Sequence, residues 1–133
     1  MNSSWYMQIQ SKVFTQVQYM LRKKYPDLKC TTKNENGLPA EFPTLFLHEL
    51  TPVESGQDLE NVGVNAVLAT IEIQVWTNTT EMDCRQIIAD ATTEMKALQF
   101  NIIAMPVIEM KDKIAWGVIR CRRMIGANDN IMN

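Results

Sequence analysis

Between residues 64 and 77 the side chains alternate so strictly that few folds can use the segment. Val67, Ala69, Ile71, Ile73 and Val75 fall on one parity, and Leu68, Thr70, Glu72, Gln74 and Trp76 on the other. A repeat of two belongs to a β-strand, here with one apolar face and one mixed face. A parallel sheet buried on both sides would be apolar at both parities, so the pattern predicts a half-covered antiparallel sheet. Its apolar side then needs an amphipathic cover.

Two stretches supply one. Ile9, Val13, Val17 and Leu21 recur every four residues, with Phe14 and Met20 widening the stripe, which predicts a helix over residues 4–25. Ser3 or Ser4 can cap its start, Arg22, Lys23 and Lys24 suit its negative dipole end, and Pro26 stops it. Thr80 followed by Asp83 resembles a capping box. After it Cys84, Ile87, Ile88, Ala91, Met95 and Leu98 mark one face of a second helix over 80–98.

The remaining segments read as strands and turns. Leu28, Cys30 and Thr32 alternate with polar residues, and Asn34-Glu35-Asn36-Gly37 is a turn signal because Asn and Gly tolerate positive φ. Pro39 and Pro43 confine the next strand to 44–50. Residues 51–63 hold Pro52, Gly56 and Gly63 with Glu54, Asp58 and Glu60, which predicts a long, exposed acidic loop or hairpin tip. A strand over 102–110 contains Pro106, which assigns it to an edge or a bulge. Asp112-Lys113 makes a turn into the last strand, 114–125, and the Asn-rich tail 126–133 is expected to fray.

The predicted order is therefore α-β-β-β-α-β-β. Two single-striped helices and four or five one-faced strands have one economical arrangement, an α+β domain with both helices on the same face of a mainly antiparallel sheet. At 133 residues and 15.2 kDa the chain is one domain, spanning 1–133. Chains of this size bury about two thirds of their unfolded surface, enough for a core without staples. Cys30, Cys84 and Cys121 are odd in number and scattered, which suits buried thiols better than a disulfide framework or a metal site. No apolar run approaches the roughly 20 residues of a bilayer span, and residues 1–10 lack an apolar signal region. A chain kept inside the cell, or carried out within an assembly, is expected.

Catalytic chemistry is sparse. His48-Glu49 superficially resembles a zinc-protease motif, but position 52 is Pro52 and His48 is the only histidine. Cys84 near a helix start could carry a lowered pKa, yet it lies in the apolar stripe and only His48 could serve as its base. The five glycines are dispersed, so no phosphate cradle forms. These patterns predict no enzyme, no cofactor and no metal.

Charge is segregated although the net is only −2. Residues 1–33 carry six Lys/Arg against one acid, while residues 34–60 carry six acids and no Lys or Arg. Such blocks bear on partner choice, and the overall balance does not suit gripping nucleic-acid phosphates. In the last strand Trp116, Val118, Arg120 and Arg122 share one parity, and Ile119, Cys121 and Arg123 the other. The three arginines therefore cannot form one patch. The sheet face bearing Glu72, Gln74 and Trp76 points away from the helices, toward solvent or a neighbour. Met105, Met110 and Met124 lie on strands that would border that neighbour, where flexible thioethers adapt. Trp76, Trp116, Arg120, Arg122 and Arg123, together with Glu54, Asp58, Glu60, Glu72 and Gln74, are the candidate interface residues. Arginine can hold a carboxylate of an adjoining subunit bidentately.

With this order in hand, the chain resembles the tail terminator, or tail-completion, proteins of long-tailed bacteriophages. The likeness is carried by Phe42-Pro43-Thr44-Leu45-Phe46, by Ile71-Glu72-Ile73-Gln74-Val75-Trp76-Thr77, by Ile87-Ile88-Ala89 with Met95, and by Arg120-Cys121-Arg122-Arg123. It spans nearly the whole chain as a pattern rather than a signature; the departure is a mostly non-basic surface. The resemblance implies a hexameric ring that caps the head-proximal end of the tail tube, stops tube polymerisation and joins the tail to the neck. It implies a virion protein assembled in the host cytoplasm. Its partners would be the tail tube protein and a neck or head-completion protein, with DNA passing through the bore without specific binding. Rival readings are another head-tail connector, a head-completion protein, a tube subunit, or a small-ligand-binding cellular α+β domain.

Overall fold

The computed structural model describes residues 4–33, 38–55 and 63–132. A 3-10 turn, Trp5–Gln8, leads into helix α1, Ile9–Lys24. Strands β1, Lys29–Thr31, β2, Thr44–Glu49, β3, Val53–Ser55, and β4, Ala66–Thr77, follow. Helix α2 spans Glu81–Ala97, β5 Asn101–Lys111 and β6 Ile114–Gly126, and a second 3-10 turn, Asn130–Met132, closes the described chain. The class is α+β, with two helices and one mixed six-stranded sheet ordered β1-β2-β4-β6-β5, β3 pairing β4 off that path.

The helix stripes become the core. Ile9, Val13, Val17 and Leu21 of α1 are buried, as are Cys84, Ile87, Ile88, Ala91 and Met95 of α2. They join Val67, Ala69, Ile71, Ile73 and Val75 of β4 and Ala115, Ile119, Cys121 and Ile125 of β6 in one cluster. Both helices thus use the same sheet face. α2 approaches β6 so closely at Gly117 that a Cβ there would lie 2.8 Å from Ile88 Cγ1 and 2.9 Å from Ile108 Cδ1. The two helices are also tied to each other: the Tyr25 hydroxyl donates to the Asp90 carboxylate, which also pairs with Lys24 at 2.9 Å.

The helix ends follow local chemistry. Thr80 Oγ1 accepts from the Asp83 amide at 3.1 Å, as the capping pattern predicts. At the far end Gln99 takes φ 67°, letting the Phe100 amide reach the Met95 carbonyl and the Gln99 amide that of Lys96. That is a Schellman closure, and it buries Phe100. The start of α1 differs from expectation. Ser4 opens a 3-10 turn through its carbonyl, which accepts from the Met7 amide, with no side-chain cap.

Two details depart from the expected order α-β-β-β-α-β-β. First, four strands rather than three precede α2. β4 has twelve residues and β2 only six, so the start of β4 needs another partner. Val53–Ser55, within the expected acidic loop, fills that place. Pro52 marks the break, and the pairing slips by one residue between Glu49↔Ile71 and Val53↔Leu68. Second, β1 runs parallel to β2, so the sheet is mixed. A parallel return needs about a dozen connecting residues, which the stretch 32–43 provides. The turn signal at Asn34–Gly37 lies outside the described residues.

The readings of β5 and of its hairpin turn hold, whereas that of the tail does not. β5 is an edge strand, with register shifts between Ile102 and Ala104 and between Ala104 and Val107, the second spanning Pro106. Asp112 and Lys113 both take positive φ, 51° and 69°, in the two-residue β5–β6 hairpin. The tail does not fray within the described residues. Arg123 Nη2 grips both Asp129 oxygens at 2.8 and 2.6 Å, and Ile131 and Met132 pack on the core.

Candidate interface on the open sheet face

Strand parity and register together dictate what shares the face without helices. The pairs His48↔Glu72 and Glu72↔Arg120 put three ionisable groups in one cross-strand row. The next row holds Phe46, Gln74 and Val118, and the one beyond it Thr44, Trp76 and Trp116. Here the expected residues Glu72, Gln74, Trp76, Trp116, Arg120 and Arg122 do share a face.

Glu72 is the hub. Its Oε1 lies 2.9 Å from His48 Nε2 and accepts from Gln74 Nε2 at 2.8 Å; its Oε2 accepts from Arg120 Nε at 2.7 Å. Glu72 is only 6 % exposed although neither helix of the described residues covers it. Burial alone would raise its pKa, but the bonds from His48, Gln74 and Arg120 and the Arg120 charge outweigh that and hold it below the ordinary carboxylate value. The network continues outward, with Trp116 Nε1 donating to Gln74 Oε1 at 3.2 Å. Trp116 and Trp76 sit 5.5 Å apart at a 32° tilt, and Phe46 stacks on His48 at 4.6 Å.

The remaining candidates scatter. Arg122 lies on the open face and is exposed. Arg123 points to the other side, where it holds Asp129 of its own chain. Glu54, on β3, pairs in register with Val67 and so belongs to the helix side. Asp58 and Glu60 lie outside the described residues. Glu72, considered as a carboxylate for a neighbour's arginine, is engaged by Arg120 of the same chain.

His48 and Phe46 were missed as parts of this face. Parity could have placed Phe46 and His48 together on β2, but their pairing with Gln74 and Glu72 depends on register between residues 28 and 24 positions apart. On the helix side, Glu49 meets the opposite fate. Its amide donates to Gln10 Oε1 at 2.7 Å, but its Oε2 is buried with no hydrogen-bond partner, and burial pushes its pKa up to about 6.

Other chemistry is muted. Cys84 is buried with its Sγ 3.6 Å from the Val75 carbonyl, and burial pushes its pKa up to about 11, away from thiolate. Among the described residues no three His, Cys, Asp or Glu side chains are grouped to hold a metal. No helix of the described residues is long and apolar enough to cross a membrane. A cleft of about 340 Å³ lies between the end of α1 and the start of α2, lined by Lys24, Tyr25, Pro43, Thr79, Asp83 and Gln86 among others.

Compared with known proteins, the chain matches no protein-family model, and no curated protein matches it either.

Proposed function

We propose that this chain is a structural subunit that associates head to tail into a closed ring. In this reading it is a bacteriophage tail terminator. It ends the tail tube at its head-proximal side and joins it to a neck or head-completion protein, DNA passing through the bore without being gripped. It is not an enzyme in this reading, and it needs no cofactor. The virion tail would be its place, after assembly in the host cytoplasm.

The supporting observation is the sheet's unfinished surface. Among the described residues neither helix lies on one whole face, and two strands carry exposed apolar side chains: Ile103, Met105 and Val107 on β5 and Met124 on β6. Exposed apolar groups that gather into a patch mark interaction surfaces. A heterologous contact closes into a ring whose two ends differ, so one ring can meet two partners.

Light scattering with negative-stain imaging of the purified chain tests the proposal. Closed rings of one size, which cap purified tail tubes and stop their growth, are expected. Open filaments would instead indicate a tube subunit. A monomer at every concentration, with and without tubes, would overturn the ring.

A further inference from the structure

Within one copy, the sheet's two outer edges differ in length, direction and charge. We infer that they are the two halves of one junction. β1 of one copy adds antiparallel to the Val107–Glu109 stretch of β5 in the next, with Lys29 beside Glu109. This rests on the ring reading above and names the surfaces that would close it.

Strand direction suits this pairing. β2 runs against β4, β1 runs with β2, β6 runs against β4 and β5 runs against β6. β1 and β5 are therefore opposed. A neighbour generated by rotation about an axis along the strands brings them together antiparallel, the commoner and somewhat stronger pairing.

Register aligns the same two edges. Lys29 pairs with Thr44, Thr44 with Trp76, Trp76 with Trp116, and Trp116 with Glu109. One cross-strand row thus begins at a lysine and ends at a glutamate. In a ring whose strands follow the axis, each row stays at constant height and meets itself in the next copy. Glu109 then falls beside Lys29, Ile108 beside Cys30, and Val107 beside Thr31. Lys29 and Glu109 are both exposed, and among the described residues no strand pairs with either outer edge.

The two edges also match in length and regularity. The bulges and Pro106, which would block pairing, all lie before Val107, and from there the β5–β6 ladder is regular to Lys111. β1 has three residues, matching 107–109. Charge agrees on the larger scale. The α1–β1 side, residues 1–33, has six bases against one acid, while residues 81–113, from α2 through β5 to its turn, have six acids against four bases. Five strands lie on the path across each copy. At about 4.8 Å per strand, six copies would make a ring of roughly 45 Å diameter through the backbone. Eight-stranded barrels are filled by side chains and 16- to 18-stranded ones leave a channel, so about 30 strands would leave a bore.

The test uses the purified full-length chain, with thermal melts confirming that each variant folds. Lys29→Glu and Glu109→Lys should each raise the concentration for half-assembly at least tenfold, and the double variant should restore it. Lys29→Cys with Glu109→Cys should give a ladder of oxidised multimers in rings, whereas Lys29→Cys with Lys111→Cys should give little. Rings that form normally in both single variants and do not cross-link at 29–109 would overturn this junction and leave the ring reading standing. Stronger cross-linking at 29–111 would overturn the register. A wild-type chain that forms no ring with or without tail tubes would overturn both.

Discussion

Glu49 and Glu72 lie on adjacent strands, Glu49 facing Ile71, yet the two carboxylates live under opposite rules. Glu72, on the face that no helix covers, is nearly buried and is met by His48, Gln74 and Arg120. Glu49, on the face under α1, keeps a buried oxygen without a partner. The helix-covered face is an apolar medium in which a charge is an intruder. The open face is a constructed polar network that keeps its charge satisfied while leaving Arg120 and Arg122 at the surface.

Truncation should separate the faces most sharply. Ile73→Ala, at a fully buried position among the helices, is expected to cost about 2–5 kcal/mol in urea unfolding. Gly117→Ala drives a methyl group into Ile88 and Ile108 and should cost about 1–3 kcal/mol through overpacking. On the open face, Glu72→Gln leaves Arg120 without its carboxylate. Because the Arg120 side chain is 51 % exposed, water recovers part of the loss, and about 1–2 kcal/mol is expected. If Glu72→Gln proved as costly as Ile73→Ala, the open face would be core by another name.

Acid titration should sharpen the contrast, because the two groups pull stability in opposite directions. The folded pKa of Glu49 is raised, to about 6, above its ordinary 4.5, so the folded state binds that proton more tightly. Its contribution favours folding at low pH and turns against it as pH rises from about 4.5 through about 6. Glu49→Gln should therefore gain on the wild type in urea midpoint between pH 5 and pH 7. Glu72 lies below its ordinary value, so its contribution is full above that value and is lost as pH falls through the folded pKa. Glu72→Gln should flatten the acid limb of the stability curve and leave the neutral region parallel to the wild type. The smallest effect belongs to the hairpin. Lys113 occupies a left-handed conformation at φ 69°, and Lys113→Gly should stabilise by roughly 1 kcal/mol.

Much of this was readable from residues because local rules and final packing agree. The alternation of β4, both helix stripes, the Thr80–Asp83 cap and the Pro106 irregularity are each decided within a few neighbouring residues. What sequence reading missed depends on relations between distant segments. β3 exists because β4 outruns β2, which no property of Val53–Ser55 announces. The parallel course of β1 follows from the length of its connection to β2. The pairing of His48 with Glu72 awaited the register, and the grip of Arg123 on Asp129 is what docks a tail whose composition suggests looseness. Of the candidate interface, the open-face residues were legible by parity. Arg123 and Glu54, on the other side, show that charge alone does not choose a surface.

Trp5 has one further consequence. Its buried indole donates to the Val64 carbonyl at 3.2 Å, 59 positions along the chain, just ahead of β4. Together with the β3–β4 ladder, this hook clamps both ends of residues 56–62. Between two fixed posts, doubling the length of a span costs only about 0.6 kcal/mol in closure entropy. Insertions within that stretch should therefore leave the stability of the body nearly unchanged.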